Sequence, residues 1–72
     1  MSKADEMFKE LGYINGTGEN LGNKYNYIYY EKSFNRIMFY YKQTKEIRID
    51  GNFSIQEIQA INKKCEELRL VR

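Results

Sequence analysis

The chain has no proline, no tryptophan, no histidine and one cysteine, Cys65. Without a second thiol no disulfide forms within the chain. One thiol with no imidazole does not complete a structural zinc site. The commonest general base of enzyme active sites is also missing. Charge of one sign is scarce: 12 Lys and Arg against 10 Asp and Glu leave a net +2. That falls well short of the strongly basic footprint of a nucleic-acid binder. No apolar run approaches the roughly 18 residues that a membrane span needs. The first residues, Met1-Ser-Lys-Ala-Asp-Glu6, lead into an amphipathic pattern rather than the apolar stretch of a signal peptide. The expectation is a cytoplasmic, non-enzymatic protein with no cofactor and no metal.

Seventy-two residues make one small domain. A chain this short buries roughly 60% of its unfolded surface, so its stability is marginal without help. The usual help is a disulfide, a metal or association. The composition removes the first two and leaves self-association or a partner. Lys, Asn, Ile, Tyr and Phe are abundant and share AT-rich codons, which points to a low-GC bacterial or phage genome.

What the chain has is tyrosine. Six of its seven tyrosines lie between residues 25 and 41, in Tyr25-Asn-Tyr27-Ile-Tyr29-Tyr30 and Phe39-Tyr40-Tyr41. Tyrosine favours strands and carries a flat apolar body with one polar tip. Residues 25–31 and 36–42 therefore read as two strands of a hairpin around Lys32-Ser-Phe-Asn35. Residues 46–50 read as a third, short strand, ended by the turn residues Asp50-Gly-Asn52.

Helices are expected at both ends. Ala4, Met7, Phe8 and Leu11 recur at helical spacing, with Ser2 as N-cap and Gly12 past the C-terminus. Tyr13 is placed to pack back on the last turn. Ser54 and Glu57 form a capping-box pattern, with Phe53 and Ile58 as a hydrophobic staple. Ile55, Ile58, Ile61, Cys65 and Leu68 give the second helix its apolar stripe, and Leu70 and Val71 a short tail. Residues 14–24, with Gly16, Gly18 and Gly22, read as a loop. The predicted fold is α+β: a three-stranded antiparallel sheet with two helices on one face, in the order α-β-β-β-α.

Alternation along the strands divides the aromatic block. Pairing Glu31 with Arg36 sets Tyr30 against Ile37 and Ile28 against Phe39. A three-residue loop at residues 43–45 then sets Tyr41 against Ile47, Phe39 against Ile49 and Tyr40 against Arg48. Ile28, Tyr30, Ile37, Phe39, Tyr41, Ile47 and Ile49 share the face the helices should cover. Tyr25, Tyr27, Tyr29, Met38, Tyr40, Lys42 and Arg48 share the other, with Glu46 beside them and a cation–π contact expected between Arg48 and Tyr40. No chain remains to cover that face. Exposed aromatic surface of this kind marks interaction sites, and Tyr, Met and Arg are enriched there. These seven residues are the candidate partner-binding set. The simpler reading is a solvated strand face with its hydroxyls in water.

Two motifs are weaker than they look. Gly16-Thr-Gly-Glu-Asn-Leu-Gly22 resembles a phosphate cradle, but a strand pattern follows it instead of a helix. The segment Glu46–Asp50 and the residues after it, to Glu57, match the second half of a calcium-binding loop. Arg48 then stands where a ligand should be. Cys65 lies on the apolar stripe and reads as a small buried hydrophobe.

Ala4-Asp-Glu-Met-Phe-Lys-Glu-Leu-Gly-Tyr13 and Ile55-Gln-Glu-Ile-Gln-Ala-Ile-Asn-Lys-Lys-Cys-Glu-Glu-Leu68 resemble segments of small uncharacterised proteins encoded by phages and prophages of low-GC Gram-positive bacteria. The resemblance covers the two helices and brings no site residues. It implies an accessory factor that binds and blocks a host protein, including a defence nuclease. Two other uses of the tyrosine face stay open: binding single-stranded nucleic acid by base stacking, or building a homodimer.

Overall fold

The computed structural model describes residues 2–20, 25–41 and 45–69. The element order is α1 (Lys3–Glu10), β1 (Ile14–Asn20), β2 (Tyr25–Lys32), β3 (Asn35–Tyr40), β4 (Glu46–Asp50) and α2 (Ile55–Glu67). The four strands form one antiparallel sheet in the order β1-β2-β3-β4. The expected sheet of three strands is therefore one strand short. Residues 14–20, expected as loop, form the edge strand β1 and pair with β2 from Ile14 opposite Glu31 to Asn20 opposite Tyr25.

Both helices begin and end as their local chemistry dictates. The Asp5 N–H donates to Ser2 Oγ at 3.0 Å. At the far end the Gly12 N–H reaches Lys9 O and the Tyr13 N–H reaches Phe8 O, both at 3.0 Å. That pair of bonds is a Schellman motif, and Gly12 takes the positive φ of 92° it requires. α2 carries the complete capping box, with the Ser54 N–H donating to Glu57 Oε1 at 2.7 Å and the Glu57 N–H to Ser54 Oγ at 3.2 Å.

The β2–β3 register is the expected one, with Glu31 opposite Arg36 and Ile28 opposite Phe39. A two-residue turn closes this hairpin. Its first residue, Ser33, takes a positive φ of 53°, as primed hairpin turns demand. The β3–β4 register differs from expectation by two residues. Phe39 faces Ile47 rather than Ile49, and Met38, not Tyr40, faces Arg48. The connection spans residues 41–45 instead of three residues. A two-residue slip leaves every side chain on its expected face, since strand side chains alternate with period two.

The core lies between the helices and one sheet face. Phe8, Tyr13, Tyr30, Ile37, Phe39, Ala60, Ile61 and Cys65 are buried together, with Ile28, Ile47, Phe53 and Leu68 packed at the margin. Phe8 stacks on Tyr30 at 4.0 Å between ring centroids, and Phe39 meets Tyr30 edge-on at 5.7 Å. Tyr30 is core as expected, whereas Tyr41 is half-buried. The expected stripe of α2 is rotated. Glu57, Ala60, Ile61, Lys64 and Cys65 are buried, while Ile55 and Ile58 are exposed. Leu70 and Val71 lie outside the described residues.

The rotation has an electrostatic cause. Lys64 turns inward because Asp5 of α1 meets its ammonium at 3.3 Å and Glu67 at 3.8 Å. The Tyr30 hydroxyl donates to the same Asp5 carboxylate, and the Ala4 N–H donates to Glu67 at 2.9 Å. Glu57 turns inward because Tyr13, Asn35 and Lys32 meet it there. Buried charge is tolerated only when paired and hydrogen-bonded. Among the described residues no buried side-chain nitrogen or oxygen lacks a partner.

Candidate functional site

Strand alternation places Gly16 and Gly18 of β1, Tyr27 and Tyr29 of β2, Met38 and Tyr40 of β3 and Arg48 of β4 on the sheet face opposite the helices. The structure brings five of the seven candidate residues together. The other two, Lys42 and the Tyr25 side chain, lie outside what is described.

The rings do not stand free on this face. Gly16 is opposite Tyr29 and Gly18 opposite Tyr27. A Cβ placed on Gly16 would lie 2.5 Å from Cζ of Tyr29, and one on Gly18 2.5 Å from Cζ of Tyr27. Both tyrosines therefore lean sideways over the bare backbone of β1. A glycine strand has no side chains of its own to shield its ladder, and a cross-strand aromatic ring supplies that cover. Tyr27 also meets Tyr40 at 5.3 Å and 44°, and Tyr29 at 6.3 Å and 49°.

Tyr40 is the residue whose environment differs most from expectation. It is only 9% exposed. Tyr27 flanks its ring, its hydroxyl points to Met38 Sδ at 3.9 Å, and Arg48 Cζ sits 5.9 Å from the ring centroid. The expected Arg48–Tyr40 contact forms diagonally between neighbouring pairs instead of directly across. Tyr27, Tyr29 and Met38 are half-buried, and Arg48 is exposed. The open aromatic face is thus a low pavement of rings lying along the sheet, with Tyr40 as its buried foundation.

Gly16 and Gly18 escape sequence reasoning as part of this surface because glycine leaves no hydrophobic pattern. Their signal is spacing. Two glycines two residues apart match Tyr27 and Tyr29, also two apart, across an antiparallel pair.

The helix side holds the strongly perturbed groups, and their partners account for them. Glu57 is held down at about 2 by the Ser54 N–H first, then by the Tyr13 hydroxyl and the nearby Lys32 charge. The Tyr13 hydroxyl is pushed up to about 12 by burial and by the Glu57 carboxylate. Burial pushes the Tyr30 hydroxyl up, and Asp5 adds to it. Burial also works to raise Glu67, but Ser2, the Ala4 N–H and Lys64 together hold it below its ordinary value. The Cys65 thiol is pushed up by burial alone, so the reactive thiolate is disfavoured. Asn35 ties the Glu57 cluster to the chain beyond β4, donating to Asn52 O at 2.8 Å and accepting from the Asn52 N–H at 3.1 Å. The polar groups of this cluster are engaged with other parts of the chain, which describes a structural lock between sheet and α2. The Glu57 carboxylate of the calcium-like pattern is occupied by the same contacts.

Among the described residues, no helix is long and apolar enough to cross a membrane, and no three His, Cys, Asp or Glu side chains gather as a metal site. No family model, curated protein or solved structure matches the chain.

Proposed function

We propose that this protein is a small non-enzymatic binding factor acting in the cytoplasm, which occupies the surface of another protein through Tyr27, Tyr29, Met38 and Arg48, with Tyr40 supporting them from beneath. The observation that carries this reading is the asymmetry of the sheet. Two helices cover one face, and aromatic rings pave the other. A pavement of half-buried rings is already ordered before a partner arrives, so docking on it loses little side-chain freedom. Arg48 at its margin adds a directional charge beside apolar contact, the combination typical of interface centres. The resemblance of the two helices to phage and prophage proteins favours a host protein, including a defence nuclease, as the partner.

The test is capture from a host lysate by the wild-type chain and by Tyr27→Ser with Tyr29→Ser. Tyr40 is left intact because it is buried. The double variant should keep its circular dichroism spectrum and lose the captured protein. Undiminished capture by a folded variant would remove the face from consideration.

Rings beside Arg36 and Arg48 also favour a second reading, single-stranded nucleic acid stacked on the face. Arg36 is already paired with Glu31 at 3.6 Å, which weakens its claim on phosphate. A mobility shift that fades steeply with salt would support this reading, and none at low salt would end it.

A further inference from the structure

We propose that two copies of this chain pair edge to edge through β4, in an antiparallel register centred on Ile49. This joins their sheets into one and shares Arg48 with the proposed partner-binding face. β4 is an outer strand of the sheet, so among the described residues no strand pairs with one side of its backbone. Its sequence, Glu46-Ile-Arg48-Ile-Asp50, alternates charge on the outer face with isoleucine on the helix face. Ile49 sits on the core side yet is 54% exposed. Neither Arg48 nor Asp50 makes an ion pair within the chain among the described residues.

A two-fold axis through the sheet allows few registers that keep isoleucine with isoleucine. Centring on Arg48 places Arg48 against its own copy, a repulsive contact on the axis itself. Centring on Ile49 places Arg48 opposite Asp50 of the second copy, twice, and Ile49 opposite Ile49. Opposite charges directly across an antiparallel pair are favourable, and like charges are not. The Arg48-centred register also sets Glu46 against Asp50, so every outer-face pair repels. Centring on Ile47 would pair Glu46 with Arg48, but it leaves the more exposed Ile49 away from the axis.

α2 also leaves apolar side chains uncovered. Gln56 and Gln59 of α2 line a groove with Met7 of α1 and Leu11 just past its end. The opposite flank of α2 carries Ile58, 48% exposed, and beside it Ile55, 76% exposed. A short link after Asp50 joins β4 to α2. Both tyrosine faces emerge on the same side of the joined sheet, giving a partner two equivalent docking faces.

Charge reversal tests the register. Sedimentation equilibrium of the wild-type chain should show a reversible monomer–dimer equilibrium. Arg48→Asp alone and Asp50→Arg alone should each weaken it by about tenfold or more, because both symmetric contacts become repulsive. Equimolar mixing of the two variants should restore a dimer, since each of the two contacts then sets a carboxylate against a guanidinium. Glu46→Arg should leave the equilibrium unchanged. Circular dichroism establishes that each variant is folded. A wild-type chain that stays monomeric at millimolar concentration, or single variants that dimerise as well as the parent, would overturn the proposal. So would loss of the dimer in Glu46→Arg with retention in Asp50→Arg. Partner capture is read separately with the tyrosine variants, so either idea can fail without the other.

Discussion

Glu57 holds four groups at once. Its carboxylate accepts from the Ser54 N–H, the Tyr13 hydroxyl and Asn35, and lies 3.6 Å from Lys32. The Ser54 N–H first, then the Tyr13 hydroxyl and the Lys32 charge, favour the ionised form and outweigh burial, so its pKa falls from 4.5 to about 2. A depressed carboxylate adds stability that is complete above its unfolded value and disappears as pH falls toward its folded value. Acid titration should therefore remove on the order of 3 kcal/mol between about pH 4.5 and 2. Urea midpoints across that range check it, and Glu57→Gln should flatten the dependence. Tyr13 has the opposite sign. Its value rises from 10 to about 12, so the stability it contributes is present below pH 10 and fades above it. Gly51 is the third residue with a defined task. Its φ is +128°, and a Cβ there would lie 2.9 Å from Asn35 Cα and closer still to Asn35 Oδ1. Gly51→Ala should lower stability by about 2 kcal/mol or more through strain and a clash with fixed backbone, visible as a lower thermal midpoint.

β1 is the element whose identity depends most on its neighbour. Its residues Ile-Asn-Gly-Thr-Gly-Glu-Asn carry turn-forming types, and by local preference they belong in a loop. The tyrosines of β2 reverse that preference by lying over Gly16 and Gly18. Gly16→Ala should leave stability within about 1 kcal/mol of the parent, because the atoms it meets are the movable tip of Tyr29. It should nevertheless change the near-ultraviolet circular dichroism, because that ring must lift. An unaltered tyrosine spectrum would show that Tyr29 does not rest on Gly16. The other strands are legible because each carries its own alternation. The slip between β3 and β4 is not, because a two-residue shift preserves that alternation and only the length of the connection decides it.

The whole molecule concentrates its apolar packing in one thin layer. At roughly 0.05–0.15 kcal/mol per residue, a chain of 72 residues has a total stability of about 4–11 kcal/mol. Phe8 is fully buried, stacks on Tyr30 and meets Tyr13 edge-on at 5.4 Å. Phe8→Ala should cost about 3–5 kcal/mol, a large part of that total. Chemical denaturation should show a midpoint sharply lower than that of the parent.

The sequence by itself determined the caps of both helices, the strands with alternating patterns, the β2–β3 register and the division of tyrosines between two faces. Each depends on residues a few positions apart, where geometry leaves few choices. The tertiary structure alone decided that residues 14–20 are a strand, that α2 turns Glu57 and Lys64 inward, and that Tyr40 is buried beneath its neighbours. In each case the deciding partner is distant in the chain: Tyr27 and Tyr29 for the glycines, Asp5 for Lys64, Tyr13 and Asn35 for Glu57. Pairing across that distance depends on how whole elements stack, and no local pattern of side chains records it.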